Sequence, residues 1–151
     1  MTEFVPRDPN YATRLTESFS RQGLMRTFGA ELGDIRPGFV EIRLPYDEKL
    51  TQQHGFIHAG AISAIVDGAG GYAAFTLYER GDGVLTVEFK INMMAPAEGD
   101  MLIARGKVLR PGKTLTVTTG EVIAIKDGNE TPCAIMQQTI MRIVGRPDVV
   151  D

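Results

Sequence analysis

The sequence predicts an α+β fold: one strongly curved antiparallel sheet wrapped around a single long central helix, with a shorter N-terminal cover helix. Three observations predict it. From Ala59 to Tyr78 the chain is built of small and apolar residues, with Asp67 as its one charge. Every later segment reads as a strand with no helix between, which argues for strands and helices segregated along the chain and against βαβ winding. Ahead of the long segment stand one amphipathic helix and one hairpin.

In chain order, Asn10 follows Pro9 and is placed to cap a first helix whose apolar residues Tyr11, Leu15 and Phe19 recur every four positions, with Gly23 as its stop. Ala30 to Ile35 and Phe39 to Leu44 flank the turn dipeptide Pro37-Gly38, and Val40, Ile42 and Leu44 share one face, which reads as a hairpin. A polar loop, Tyr46 to Ile57, leads into the helix. After the break Glu79-Arg80-Gly81-Asp82-Gly83, the run Val84 to Met94 alternates. Leu85, Val87, Phe89, Ile91 and Met93 are expected on the core face, and Thr86, Glu88, Lys90 and Asn92 on the other. Strands follow over Met101 to Leu109, Thr114 to Lys126 and Thr131 to Ile143, joined by Arg110-Pro111-Gly112-Lys113 and by Asp127-Gly128-Asn129. The four strands are expected to form a meander, and the tail from Gly145 to be loose.

The 151 residues suffice for one domain with a real core, taken as residues 1–151. A net charge of −3 without a basic stripe argues against nucleic acid as a partner. Met1 to Asp8 has neither the charged start nor the apolar run of a leader, and no segment is long and apolar enough to span a membrane, so a cytoplasmic location is expected. The lone Cys133 sits in an alternating apolar stretch and reads as core; no Cys/His zinc spacing or calcium loop is present, so neither a metal nor a cofactor is expected.

Reading the central helix at about 100° per residue puts Gly60, Ser63, Ala64, Gly70, Gly71, Ala74 and, at the far end, Tyr78 on the side of Asp67. The opposite side collects Ala61, Ile62, Ile65, Val66, Ala69, Tyr72, Ala73 and Thr76. One face is packing surface and the other is nearly bare. Gly68, Gly70 and Gly71 each cost a helix about 1 kcal/mol relative to alanine, so close approach of a backbone or a ligand must offset them. Two readings of Asp67 stand side by side: a buried carboxylate satisfied by a neighbouring amide or hydroxyl, or a working acid, since buried carboxylates cluster at sites.

With these elements in place, the chain resembles the hotdog-fold acyl-CoA thioesterases, most closely the PaaI-like group of the phenylacetic acid pathway. His58-Ala59-Gly60 followed by Asp67 nine residues after the His is similar to that group's H-G-G-x-x-x-x-x-x-D pattern, and Met94-Ala95-Pro96-Ala97-Glu98-Gly99-Asp100 to the phrase closing the strand after the hotdog helix. The likeness runs from about Ala30 to Ile143, with Ala59 in place of the first glycine and Gln52 where relatives often carry asparagine.

The resemblance implies hydrolysis of an acyl- or aryl-acyl-CoA, with coenzyme A arriving as part of the substrate. Asp67 acts as general base or nucleophile, Ala59 supplies the main oxyanion amide with Gly60 in support, and Gln52 orients water or thioester. Thr86, matching a Ser/Thr position of relatives, holds the attacking water; on the polar face of its strand it is expected to reach a site only across a subunit boundary. His58 polarises the thioester or simply caps the helix, and His54 has no role. Ser63 keeps the site open. Phe56, Ile57 and Tyr78 line the acyl pocket. Arg110 and Lys113, in a basic glycine turn like that of relatives, and Arg80 meet the coenzyme A phosphates. Ala59 and Asp67 lie about 12 Å apart along the helix by rise alone. The family's answer is a dimer, here a homodimer or dimer of dimers, with each site shared. Two other classes carry the same fold: a non-hydrolytic acyl-CoA binding or sensing protein, and a dehydratase or hydratase, which wants a His paired with a carboxylate.

Overall fold

Helix α3, Ala59–Phe75, lies on the inner face of a curved six-stranded antiparallel sheet, and the rest of the chain is arranged around that contact. The structure, a computed structural model, describes residues 4–149; Met1 to Glu3 of the expected leaderless start and the last two residues of the expected tail lie outside the described residues. The other elements are α1 (Tyr11–Arg21), α2 (Gly23–Phe28), β1 (Glu31–Arg36), β2 (Phe39–Pro45), β3 (Gly83–Met93), β4 (Met101–Arg110), β5 (Leu115–Lys126) and β6 (Asn129–Ile143).

The strand order is β1-β2-β4-β5-β6-β3. Only β4, β5 and β6 form the expected meander. β3 instead pairs with β6 at the sheet edge, and β4 pairs with β2. The crossing is made by Met94 to Asp100, which passes the start of α3, where the Ile57 amide donates to the Ala97 carbonyl at 3.2 Å. Strand pairing of this kind is set by where the helix packs, so spacing along the chain does not reveal it.

Helix α3 sits close to the sheet because two opposed strand glycines leave room. Gly106 of β4 and Gly120 of β5 are cross-strand partners. A Cβ on Gly106 would stand 2.3 Å from the Ala69 backbone, and one on Gly120 would stand 2.4 Å from Val66 Cγ2. The expected packing face is buried from Ala61 to Thr76, with Ile65, Val66 and Ala69 fully so, and each large side chain there contributes about 2 kcal/mol of apolar burial.

The bare face is shorter than expected. Gly70, Gly71, Ala74 and Tyr78 are buried, because α1 and the last strand close over the second half of the helix. Only Ala59, Gly60, Ser63, Ala64, Asp67 and Gly68 keep open surface. Arg14 of α1 fastens that end: its guanidinium donates to the carbonyls of Phe75 (3.3 Å), Tyr78 (3.1 Å) and Glu79 and stacks over the Phe75 ring at 4.3 Å.

The cover helix is two pieces. Asn10 makes no side-chain cap; its amide donates to Asp8 Oδ1 at 2.9 Å. Gln22, with an extended ψ of 106°, breaks the helix so that Gly23 opens α2, which ends on the left-handed Gly29. The β5–β6 hairpin turns on Asp127 and Gly128, both at positive φ as a two-residue primed turn requires. Among the described residues no helix is long and apolar enough to cross a membrane.

Candidate active site

Asp67 stands midway along α3 with its carboxylate turned to the β3 edge of the sheet. The Thr86 hydroxyl donates to Asp67 Oδ1 at 2.8 Å, and Gln138 Nε2 donates to the same oxygen at 2.9 Å. No donor among the described residues is directed at Oδ2. Burial pushes the Asp67 carboxyl above the 3.8 of an ordinary aspartate, and the two donors hold it down in part. The carboxylate opens on a cleft of about 250 Å³ bounded by Gly68, Gly71 and Thr86 and closed at the far end by Ser18, Gln22 and Tyr72. There Gln22 Nε2 donates to the Tyr72 hydroxyl at 2.9 Å, and Ser18 Oγ lies 3.2 Å from it.

Thr86 therefore reaches Asp67 inside one chain, contrary to the expectation that it faces away. The cause is a β-bulge between Thr86 and Glu88. Before it Thr86 pairs with the inward Ile140; after it Phe89 pairs with the inward Gln138. One extra residue exchanges the faces, so Thr86 and Phe89 both look inward while Leu85 looks out and is 51% exposed.

The start of α3 borders a separate cleft. His58 is the N-cap, and its Nδ1 accepts the Gly60 amide at 2.8 Å. Nδ1 is thus the accepting nitrogen of the ring, and the Gly60 amide is already engaged. The Ala59 amide has no partner among the described residues and lies at the positive end of a 17-residue helix. Gln52, Phe56, Ile57, His58 and Ala59 line one open cleft of about 520 Å³, with Met93 on its far side. The Gln52 side-chain oxygen accepts the His54 amide, which leaves its NH₂ for a ligand. Ser63 Oγ donates back to the Ala59 carbonyl at 2.8 Å.

Residues 54–131 match the family model of the thioesterase superfamily. The chain belongs to the thioesterase superfamily. A thioesterase family protein from Silicibacter pomeroyi is 50% identical, with a TM-score of 0.88 over 89% of this chain and 99% of that one. Human acyl-coenzyme A thioesterase 13 is 32% identical over an alignment that covers 66% of this chain and 80% of the relative. The E. coli PaaI protein from the phenylacetic acid degradation operon, at 18% identity, shares the fold with a TM-score of 0.81 over 94% of this chain and 97% of its own. The fold is the hotdog, and thioester hydrolysis is the general chemistry that thioesterase membership carries.

Within this thioesterase-superfamily chain the predicted residues divide. Gln52, His58 and Ala59 share one cleft, with Phe56 and Ile57; Asp67 and Thr86 share the other. Tyr78 belongs to neither, since it is 3% exposed and its hydroxyl donates to Thr116 Oγ1 at 2.9 Å. Arg80 borders a third cleft with Asp8 and Arg14 beyond the C-terminal end of α3. The turn of Arg110 and Lys113 lies at that same end, tied to Thr116 through the Gly112 amide at 3.4 Å, and both cations are exposed. Cys133 is fully buried, and burial pushes its thiol up to about 11. Gln138 escaped the sequence reading. Its signal was phase: Ala134, Met136, Gln138 and Ile140 fall on one face of β6, three of them apolar.

Proposed function

We propose that this chain is an acyl-CoA thioesterase that works as a dimer with each active site shared between subunits. The observation that carries the proposal is the division of labour along α3. A carboxylate with one oxygen uncommitted lies in one cleft, and the unpartnered Ala59 amide lies in another, about 12 Å away by helical rise. One carbonyl group is too small to touch both in a single chain. β3 is an edge strand, with Leu85 and Val87 exposed on its outer side and Phe89 half-exposed on the helix side, and a second copy pairing along this edge would cover them. Two-fold pairing through β3 would run the two α3 helices in opposite directions and carry the Asp67 of one copy toward the Ala59 amide of the other.

In the proposed reaction, Asp67 Oδ2 takes a proton from water as its oxygen bonds to the thioester carbonyl carbon. The carbonyl oxygen gains the negative charge and is held by the Ala59 amide across the interface. Collapse breaks the carbon–sulfur bond, and the coenzyme A thiolate recovers the proton from Asp67, leaving free acid. Gln52, through its NH₂, orients the thioester. His58, occupied as a cap, does not serve as the paired base that a dehydratase needs. Arg110 and Lys113 are the proposed phosphate contacts, and their position at the far end of α3 fits a coenzyme A bound mainly by the partner copy.

Thiol release from aryl-, medium- and long-chain acyl-CoAs tests the reading. Wild type should turn over at least one class, and Asp67→Asn should retain binding while losing turnover by about 10³-fold or more. Tight binding by the wild type without thiol release would make the chain an acyl-CoA binding protein instead.

A further inference from the structure

Gln138 is 1% exposed on β6, with its amide wedged between the sheet and α3. Its Nε2 donates twice to one residue, to Asp67 Oδ1 at 2.9 Å and to the Asp67 main-chain carbonyl at 3.2 Å. A main-chain carbonyl only accepts, so the amide orientation follows from chemistry. The other side of the amide is costly: Gln138 Oε1 and the adjacent Thr118 Oγ1 are buried with no hydrogen-bond partner. Leucine or methionine would fill this volume without that desolvation cost, since a buried polar atom left unpaired is destabilising. Room for the amide comes from Gly70, where a Cβ would stand 1.8 Å from Gln138 Oε1 and 2.9 Å from Thr118 Oγ1. A helix glycine and a half-satisfied core amide are thus both kept where they serve one contact.

We infer that Gln138 is the positioning residue for Asp67: with Thr86 it pins Oδ1 and thereby presents Oδ2 to the cleft as the reacting oxygen. The inference rests on the thioesterase reading above. Thr86 comes from the bulged edge strand and Gln138 from its neighbour, so the carboxylate plane is set from two directions. Besides Asp67, the described residues lining the cleft include no charged side chain, and among them Tyr72 is the other titratable group. Hydrogen bonds to Oδ1 are therefore the main means of favouring the ionised carboxylate against burial.

The test compares wild type, Gln138→Leu and Gly70→Ala by thiol-release kinetics across pH, thermal melting and a carboxyl-¹³C titration of Asp67. Gln138→Leu should melt at or above the wild-type temperature and keep KM within about twofold, yet lose kcat roughly 10- to 100-fold. The acid limb and the Asp67 titration should both move up by about one pH unit. Gly70→Ala, which displaces the amide without touching the carboxylate, should show the same split, and the double variant should add little to either. Should Gln138→Leu not fold, Gln138→Met is read in the same way. Wild-type kcat and an unmoved Asp67 titration in a folded Gln138 variant would overturn the positioning role. If Asp67→Asn is inactive in the same assays, the thioesterase reading survives that result; if it turns over normally, the reading itself has failed.

Discussion

Ala59 tests the oxyanion assignment without disturbing the helix. It occupies the first helical position, where proline is tolerated because that N–H has no intrahelical partner, and His58 before it already has the extended ψ of 140° that a pre-proline residue adopts. Ala59→Pro should therefore melt like wild type while kcat falls about 10²- to 10³-fold, the cost of removing one oxyanion donor. Asp67 carries the pH dependence. Its folded carboxyl is raised by burial, so its stabilising contribution is complete below the unfolded value of 3.8 and is lost as pH rises through the folded one. Melting Asp67→Asn beside wild type from pH 4 to pH 8 should show the difference shifting in favour of Asn with rising pH and then levelling. Cys133, by contrast, should react with a thiol reagent only on unfolding, so a thiol-release assay is not confounded by the protein's own sulfur.

At the level of elements, the glycine pair under α3 and the bulge in β3 decide the site. Gly106→Ala drives a Cβ against helix backbone that has no rotamer to yield, and should destabilise the fold by roughly 3 kcal/mol, measurable by urea unfolding. The β3 bulge shows how much of the site was legible. Alternation from Val84 to Met94 correctly announced a strand and put Phe89, Ile91 and Met93 on the helix side, but periodicity assumes an unbroken register. The bulge violates that assumption at the one place where Thr86 meets Asp67. The short polar loop before α3 was more transparent, because capping is local and His58-Ala59-Gly60 carries its own geometry.

For the whole molecule, the proposal of a site shared between subunits predicts complementation. Asp67→Asn and Ala59→Pro chains are each expected to be inactive as homodimers. In a mixed dimer one site keeps both an Asp67 and an Ala59 amide, so co-expressed chains should regain roughly a quarter of wild-type activity by random pairing. Co-expressed chains that stay inactive despite proven mixing would rule out a site shared in this way. Phe89→Glu, at a side chain of the β3 edge that is half-exposed on the helix side, should weaken dimers in light scattering and lower activity in parallel.

The sequence by itself determined the local parts: a long apolar helix with one carboxylate, the His58 cap, the strands and primed turn, and the pattern that marks a thioesterase. These follow from periodicity, capping and turn chemistry, which act over a few residues. Only the tertiary structure decided that β3 leaves the meander for the sheet edge, that α1 buries the second half of α3, and that Gln138 meets Asp67 from 71 positions away. Those outcomes depend on which surfaces pack and which strands pair, and such contacts leave no spacing in the chain to read.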